Sequence, residues 1–128
     1  MQISILHVDD EPAHLEITRI YLKREAKGDF EIVSVPSARK ALEKLETYDF
    51  NVIVSDYKMP NMNGLEFLCA VKKSEKYANI PFVLFTNADG TKVEEEALSR
   101  GAERYIAKSG SPATQCNQLA QAIRGLFA

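Results

Sequence analysis

Short apolar runs alternate with amphipathic stretches along the chain, and this alternation predicts its secondary structure. Five runs are rich in β-branched residues and have the length of strands. They cover residues 3–8, 30–35, 50–55, 81–86 and 105–107. The stretches between them, and the one after the last, repeat apolar residues every three or four positions, which predicts five helices.

The first predicted helix begins at Pro12, since a proline is tolerated in a first turn, and ends at Lys27-Gly28-Asp29. Its predicted inward face consists of Ala13, Ile17, Ile20 and Tyr21, with Leu15 and Leu22 at the edge of the core.

The other four helices have clearer signals at their ends. Ser37, Thr91 and Ser111 are predicted N-caps, Gly64 precedes the third helix, and Gly101 ends the fourth after residues 93–100. Their predicted inward residues are Ala38, Ala41, Leu42 and Leu45; Leu65, Leu68 and Val71 (or Cys69); and Cys116, Leu119, Ile123 and Leu126. Residues 87–90 form a predicted turn.

Strands that alternate with helices favour an α/β fold. The physical solution is a doubly wound parallel sheet, with right-handed crossovers and helices on both faces. The length of 128 residues suits one domain over residues 1–128.

Composition excludes several classes of protein. Charged residues make up 27% of the chain and the net charge is -2, which gives no electrostatic case for binding nucleic acid. No run approaches the ~18 apolar residues of a membrane span, and the N-terminus lacks the features of a signal peptide. We therefore expect a cytoplasmic protein in which Cys69 and Cys116 are free thiols.

Four of the five predicted strands end at a polar or charged side chain. The first strand ends at Asp9 and Asp10, the third at Asp56, the fourth at Thr86 and the fifth at Lys108. Ligands of open α/β sheets bind outside the carboxyl ends of the strands. We therefore expect these five side chains to form one site.

The chemistry of these residue types points to phosphoryl transfer. Clustered carboxylates need a compensating charge, and oxygen ligands without histidine or cysteine favour Mg²⁺. A hydroxyl from Thr86 and an ammonium from Lys108 suit the oxygens of an arriving phosphoryl group. Asp56 is then the nucleophile that forms an acyl phosphate.

Each of these residues also has an ordinary explanation when taken alone. An Asp-Asp pair after a strand often only caps a helix, and a single aspartate often begins a turn. A threonine at a strand end is usually there for its β-branched shape, and a lysine is usually solvated. Their joint occurrence at four strand ends is what favours a functional site.

The ordered set of motifs resembles the receiver domain of two-component response regulators. The matching segments are Val8-Asp9-Asp10-Glu11-Pro12, Ser55-Asp56-Tyr57-Lys58-Met59-Pro60 with Gly64, Phe85-Thr86, and Gly101-Ala102 followed by Tyr105-Ile106-Ala107-Lys108. The resemblance covers essentially the whole chain. It implies a flavodoxin-like sheet with strand order 2-1-3-4-5 and five helices in three layers.

The resemblance also implies a phosphoryl-accepting switch. Asp56 would be phosphorylated by a histidine kinase or phosphotransfer protein, or by a small acyl phosphate. Asp10 and Asp56 would bind Mg²⁺ directly, Asp9 would bind it through water, and Lys58 would contribute its backbone carbonyl.

Further roles follow from the same resemblance. Thr86 and Lys108 would contact the phosphoryl group, while Thr86 and Tyr105 would act as the switch pair. The output would be a downstream protein or a covalently linked domain. The face of the fourth helix, fifth strand and last helix is the family's usual partner or dimer surface. Such a protein is not an enzyme beyond its own phosphorylation and dephosphorylation.

Three other functions stay open from the residues alone. An aspartyl-phosphate phosphatase usually has a second aspartate two residues after the nucleophile, where this chain has Lys58. A nucleotide or flavin binder would need a glycine- or hydroxyl-rich loop in place of Asp9-Asp10-Glu11. A degenerate receiver would act without phosphorylation.

The chain also departs from the family pattern after Lys108, where Ser109-Gly110 replaces the usual proline.

Overall fold

The structure is a computed structural model that describes residues 2–87 and 91–128. Five strands and five helices alternate along the chain. The strands are β1 (Ile3–Val8), β2 (Phe30–Val35), β3 (Val52–Ser55), β4 (Phe82–Thr86) and β5 (Arg104–Ala107). The helices are α1 (Pro12–Ala26), α2 (Ala38–Thr47), α3 (Gly64–Lys73), α4 (Thr91–Ser99) and α5 (Pro112–Leu126).

The five strands form one parallel sheet in the order β2-β1-β3-β4-β5. This confirms the predicted fold class and strand order. Strand β3 begins two residues later than predicted, because Asn51 pairs with Ser4 through its backbone and its side chain before the ladder starts. Strand β5 begins one residue earlier than predicted, at Arg104.

Two hydrophobic cores lie on the two faces of the sheet. Successive side chains of a strand point to opposite faces, so β1 sends Ile5 into one core and Leu6 into the other. The core with Leu6 includes residues of α2, α3 and α4, and the core with Ile5 includes residues of α1 and α5. The central strands are therefore apolar on both faces, as expected of a covered parallel sheet.

Helix α1 packs through a different face from the predicted one. Its buried residues are Thr18, Leu22 and Ala26. Ile17 and Ile20, which were predicted to face inward, are 40% and 39% exposed. At 100° per residue the buried stripe lies about half a turn away from the predicted one. The prediction was wrong because α1 has apolar residues on both sides, and only its packing against the sheet and α5 selects one.

The predicted N-caps Ser37 and Ser111 are confirmed, whereas α4 begins two residues before its predicted start, so Thr91 is not its N-cap. The Ser37 hydroxyl accepts from the backbone N–H of Lys40, and Ser111 does the same for Thr114. Asn63 and Glu66 form a reciprocal capping box at α3. Thr91 is the first helical residue of α4, and residues 88–90 of the predicted turn lie outside the described residues.

Gly110 makes the loop before α5 without the proline that is usual in the family. Its φ of 79° lies in the left-handed region, which glycine adopts without strain. The Gln115 side-chain amide donates to the Gly110 carbonyl at 3.0 Å, which ties the loop to the first turn of α5. In the part of the chain that the structure describes, no helix is long and apolar enough to cross a membrane.

Candidate functional site

The carboxyl ends of β1, β3, β4 and β5 bring four of the predicted site residues into direct contact. Asp9 follows β1, Asp56 follows β3, Thr86 ends β4 and Lys108 follows β5. Because the strands are parallel and adjacent, residues that are far apart in sequence converge at this edge. The sequence separation of the ion pair between Lys108 and Asp9 is 99 residues.

Asp56 receives a hydrogen bond on each of its carboxylate oxygens. Its Oδ1 accepts from the Thr86 hydroxyl at 2.5 Å and from the backbone N–H of Tyr57 at 2.6 Å. Its Oδ2 faces the Lys108 ammonium at 3.3 Å. The Asp56 side chain is 12% exposed, so it is held in a fixed orientation yet remains open to an incoming group.

Lys108 supplies the positive charge of the site. Its ammonium lies 3.1 Å from Asp9 Oδ2 and bridges the two carboxylates, with only 5% of the side chain exposed. The same Nζ lies 5.0 Å from the centre of the Phe85 ring. The backbone N–H of Lys108 donates to the Thr86 carbonyl at 2.9 Å, which fixes the ends of β4 and β5 together.

Asp9 is the most deeply buried acid of the site. Its side chain is 1% exposed, and its Oδ1 accepts from the backbone N–H of Glu11 at 3.0 Å. Burial raises the pKa of the Asp9 carboxyl, and the Glu11 N–H and the Lys108 ammonium oppose that shift only in part. One lysine therefore does not fully compensate the carboxylates at this edge.

Two histidines lie near the site in different surroundings. His7 in β1 is 2% exposed and lies 3.2 Å from the Ser34 hydroxyl through Nδ1. Burial, and to a lesser extent the charge of Lys108, lower its pKa to about 3, so His7 is a neutral core residue. His14 Nδ1 lies 3.5 Å from Glu11 Oε2 and 4.0 Å from Asp9 Oδ2. Sequence reasoning did not include His14 in the site, although it falls one helical turn after Asp10.

Asp10 and Lys58 border a cavity at the mouth of the site. The cavity has a volume of about 500 Å³, and its lining residues are Asp10, Tyr57, Lys58, Met59, Pro60 and Asn63. Asp10 does not contact Asp9 or Asp56 through any described hydrogen bond, and the Lys58 side chain is exposed. The structure thus places Asp10 beside the cluster rather than within it.

The donor chemistry of this edge fits a hard divalent cation. Its acidic groups are oxygen donors, and burial raises the pKa of the Asp9 carboxyl, a shift that a bound cation would oppose. Among residues 2–87 and 91–128, no three acidic, histidine or cysteine side chains converge closely enough to hold a metal ion. Two direct carboxylates and a backbone carbonyl, with water for the rest, need no such convergence.

Gly64 and Tyr105 belong to two elements next to the site, since Gly64 begins α3 and Tyr105 lies in β5. A Cβ added to Gly64 would overlap the Asp56 carbonyl oxygen, so α3 begins in direct contact with the backbone of the acid. The Gly64 N–H donates to the Tyr57 carbonyl at 2.8 Å. Tyr105 in β5 is half-buried and packs against the core shared with α2, α3 and α4. Its proposed switching role stays a prediction.

The chain matches the sequence model of a family described as response regulator receiver domain over residues 5–123. The heme response regulator HssR of Staphylococcus saprophyticus is 35% identical over 105 residues, which cover 82% of this chain and 44% of that protein. The two-component response regulator ORR12 of Oryza sativa is also 35% identical over 105 residues, covering 81% of this chain and 84% of that protein. The chain spans about half the length of the first two curated relatives.

Solved structures agree with these sequence matches. The chemotaxis response regulator CheY4 of Vibrio cholerae superposes with a TM-score of 0.80 and 27% identity, covering 94% of this chain and 98% of that one. The family model, the similar proteins and the strand order all support the same family assignment. The chain therefore belongs to the receiver domains of two-component response regulators.

Proposed function

We propose that this receiver domain is a signalling switch that is phosphorylated on Asp56 in a Mg²⁺-dependent reaction. The observation that carries the proposal is the placement of the Asp56 carboxylate between the Thr86 hydroxyl and the Lys108 ammonium, beside buried Asp9. A hydroxyl and a cation directed at one accessible carboxylate are the groups that stabilise a phosphoryl group in transfer.

The phosphoryl donor is the phosphohistidine of a histidine kinase or of a phosphotransfer protein, and small acyl phosphates serve as substitutes. One carboxylate oxygen of Asp56 forms the new P–O bond while the P–N bond of the phosphohistidine breaks. The donor imidazole leaves with the electron pair of that bond and takes up a proton. Lys108 and Thr86 then contact oxygens of the transferred group.

The Mg²⁺ ion neutralises charge on the phosphoryl oxygens when it is bound. Asp10 and Asp56 would hold it directly, Asp9 would orient a water ligand, and Lys58 would contribute its backbone carbonyl. Support for this set comes from the all-oxygen donors and from the cavity of about 500 Å³ that Asp10 and Lys58 line. Asp9 remains ionised more readily once the cation compensates its burial.

Response regulators work with histidine kinases and output domains, and the family is a signalling module rather than a classical enzyme. For this chain we propose that Thr86 moves toward the phosphoryl group and that Tyr105 follows. The altered surface of α4, β5 and α5 is then read by a downstream protein, by a linked output domain or by a second copy of the chain.

Phosphorylation of Asp56 is tested by intact-mass measurement after incubation with acetyl phosphate and Mg²⁺. We expect one phosphoryl adduct on the wild-type chain and on Asp49→Asn, a matched change at an exposed aspartate. Asp56→Asn should show none. The same adduct on Asp56→Asn would refute the assignment, and no adduct on any chain would favour a receiver that acts without phosphorylation.

A further inference from the structure

A half-buried ion pair lies at the edge of the sheet opposite to Asp56. Lys72 at the end of α3 places its ammonium 3.1 Å from both carboxylate oxygens of Glu103, which directly precedes β5. The two side chains are 20% and 32% exposed, whereas the two partners of the surface pair Lys40 and Glu43 are 55% and 58% exposed. Solvent therefore screens the Lys72–Glu103 pair less than the surface pair.

Backbone groups from two further segments bind to the same pair. Lys72 Nζ also donates to the Ala78 carbonyl at 3.2 Å, in the loop before β4. Glu103 Oε1 accepts from the backbone N–H of Phe82, the first residue of β4, at 2.7 Å. The Glu103 N–H returns a bond to the Phe82 carbonyl at 2.9 Å. We name Lys72, Phe82 and Glu103 the basal cluster.

The C-terminal end of α4 is attached to the basal cluster. Gly101, with a φ of 110°, packs closely against the Lys72 side chain, since an added Cβ would lie 3.3 Å from Lys72 Cε. The Arg100 guanidinium lies 3.1 Å from Cys69 Sγ on α3. Ala97 is the only fully buried residue that is described in α4. The C-terminal end of α4 and the residues that follow it are thus attached to α3 and the basal cluster, while Val93 near the start of α4 packs against the hydrophobic core.

The opposite ends of β4 and β5 contact Asp56 instead. Thr86 follows Phe82 by about 13 Å along β4, and Lys108 follows Glu103 by about 17 Å along β5, at about 3.3 Å per residue. Each strand is therefore held at one end by a contact that is independent of the phosphorylation site. At the other end it is held by a contact that a phosphoryl group on Asp56 would rearrange.

We propose that the basal cluster is the pivot about which β4, α4 and β5 respond to phosphorylation. This inference rests on the proposed function of Asp56. Thr86 and Lys108 reorganise around the phosphoryl group, while Phe82 and Glu103 at the other ends of β4 and β5 stay in place. The displacement therefore appears at the ends of β4 and β5 that contact Asp56. Without Lys72, Phe82 and Glu103 also move, and the response to phosphorylation extends along the whole of β4 and β5.

Amide hydrogen exchange by NMR, with and without Mg²⁺ and beryllofluoride as a phosphoryl mimic, tests the pivot. In the wild type we expect exchange at the Lys108 amide to change by about tenfold or more, and exchange at the Phe82 and Glu103 amides by less than about twofold. In Lys72→Met, exchange at Phe82 and Glu103 should also change by about tenfold when the mimic binds. The readout is the response to the mimic, which a merely stabilising role of Lys72 would leave unchanged.

Two variants control the experiment. Glu103→Gln keeps an acceptor for the Phe82 N–H while it removes the charge, so it serves if Lys72→Met does not fold. Lys40→Met removes the surface pair and should behave as the wild type. A response at Phe82 and Glu103 in the wild type as large as that at Lys108 would overturn the pivot alone. The pivot would also be overturned if the mimic changed amide exchange in Lys72→Met or Glu103→Gln in the same way as in the wild type. No response anywhere in the wild type would overturn the proposed function and the pivot together.

Discussion

Gly64 shows how one missing side chain shapes the site. The first residue of α3 lies so close to Asp56 that an added Cβ would overlap the Asp56 carbonyl oxygen and would lie only 2.9 Å from Leu84 Cδ1. We predict that Gly64→Ala lowers the free energy of unfolding by about 2–4 kcal/mol, because the helix must shift away from the loop. Urea denaturation measures this change.

Gly125 in α5 is the matched control for this substitution. Nothing lies within 4 Å of a Cβ added there, and the residue is helical. Gly125→Ala should leave the protein as stable as the wild type or more stable by up to about 1 kcal/mol. Equal effects of the two substitutions would show that Gly64 has no special steric role.

Cys116 makes stability depend on alkaline pH. Its side chain is 1% exposed, and burial is the main cause that raises the pKa of this thiol from 9.0 to about 11. The unfolded chain loses the proton first, so the contribution of the neutral thiol is complete below pH 9. It is lost as the pH rises through about 11, by about 3 kcal/mol in total.

Comparison with Cys116→Ala isolates this effect from the titration of lysines. Urea denaturation between pH 8 and pH 11, buffered at roughly unit steps, should show a steeper decline for the wild type than for the variant. Parallel curves for the two proteins would contradict the assignment of the shift to Cys116.

At the scale of elements, α1 is the helix whose sequence pattern and packing disagree. Leu22 is 1% exposed in the core under α1, whereas Ile20 is 39% exposed. We predict that Leu22→Ala costs about 2–4 kcal/mol of unfolding free energy and Ile20→Ala less than about 1 kcal/mol. Thermal or urea denaturation of the two variants distinguishes the faces, and the reverse order would restore the face that periodicity suggested.

The other helices agree with their patterns for a physical reason. In α5 the buried residues Cys116, Leu119 and Ile123 lie on one stripe with polar residues opposite, so only one orientation buries apolar surface. In α1 both stripes contain apolar residues, and the choice depends on the neighbours of the helix. Periodicity therefore predicted the existence of all five helices but not the orientation of α1.

At the scale of the whole molecule, the site has an excess of negative charge that a bound cation would relieve. We predict that Mg²⁺ stabilises the folded chain, by about 1.4 kcal/mol at ten times the dissociation constant, because it binds the folded site and not the unfolded chain. Thermal unfolding with increasing MgCl₂, against NaCl of equal ionic strength, measures the effect.

Asp10→Asn provides the control for Mg²⁺ binding. Asp10 is only half-buried and makes no described hydrogen bond, so its replacement should leave the fold intact and remove most of the stabilisation by Mg²⁺. Stabilisation of Asp10→Asn equal to that of the wild type would exclude Asp10 as a ligand.

The sequence by itself determined the class of fold and indicated which strand ends meet. Alternating apolar runs predicted a parallel sheet, and the topological rule for such sheets then predicted that Asp9, Asp10, Asp56, Thr86 and Lys108 meet at one edge, where the structure brings all but Asp10 into direct contact. These inferences succeed because strand period and strand ends are local properties of the chain.

Tertiary structure alone decided the contacts between segments. Only the fold shows that Lys108 bridges Asp9 and Asp56, that Asp10 lies beside them, and that α3 starts against the backbone of Asp56. It likewise decided the buried face of α1 and formed the basal cluster from Lys72 and Glu103. These features depend on how close elements approach one another, and close approach is set by packing rather than by any local pattern.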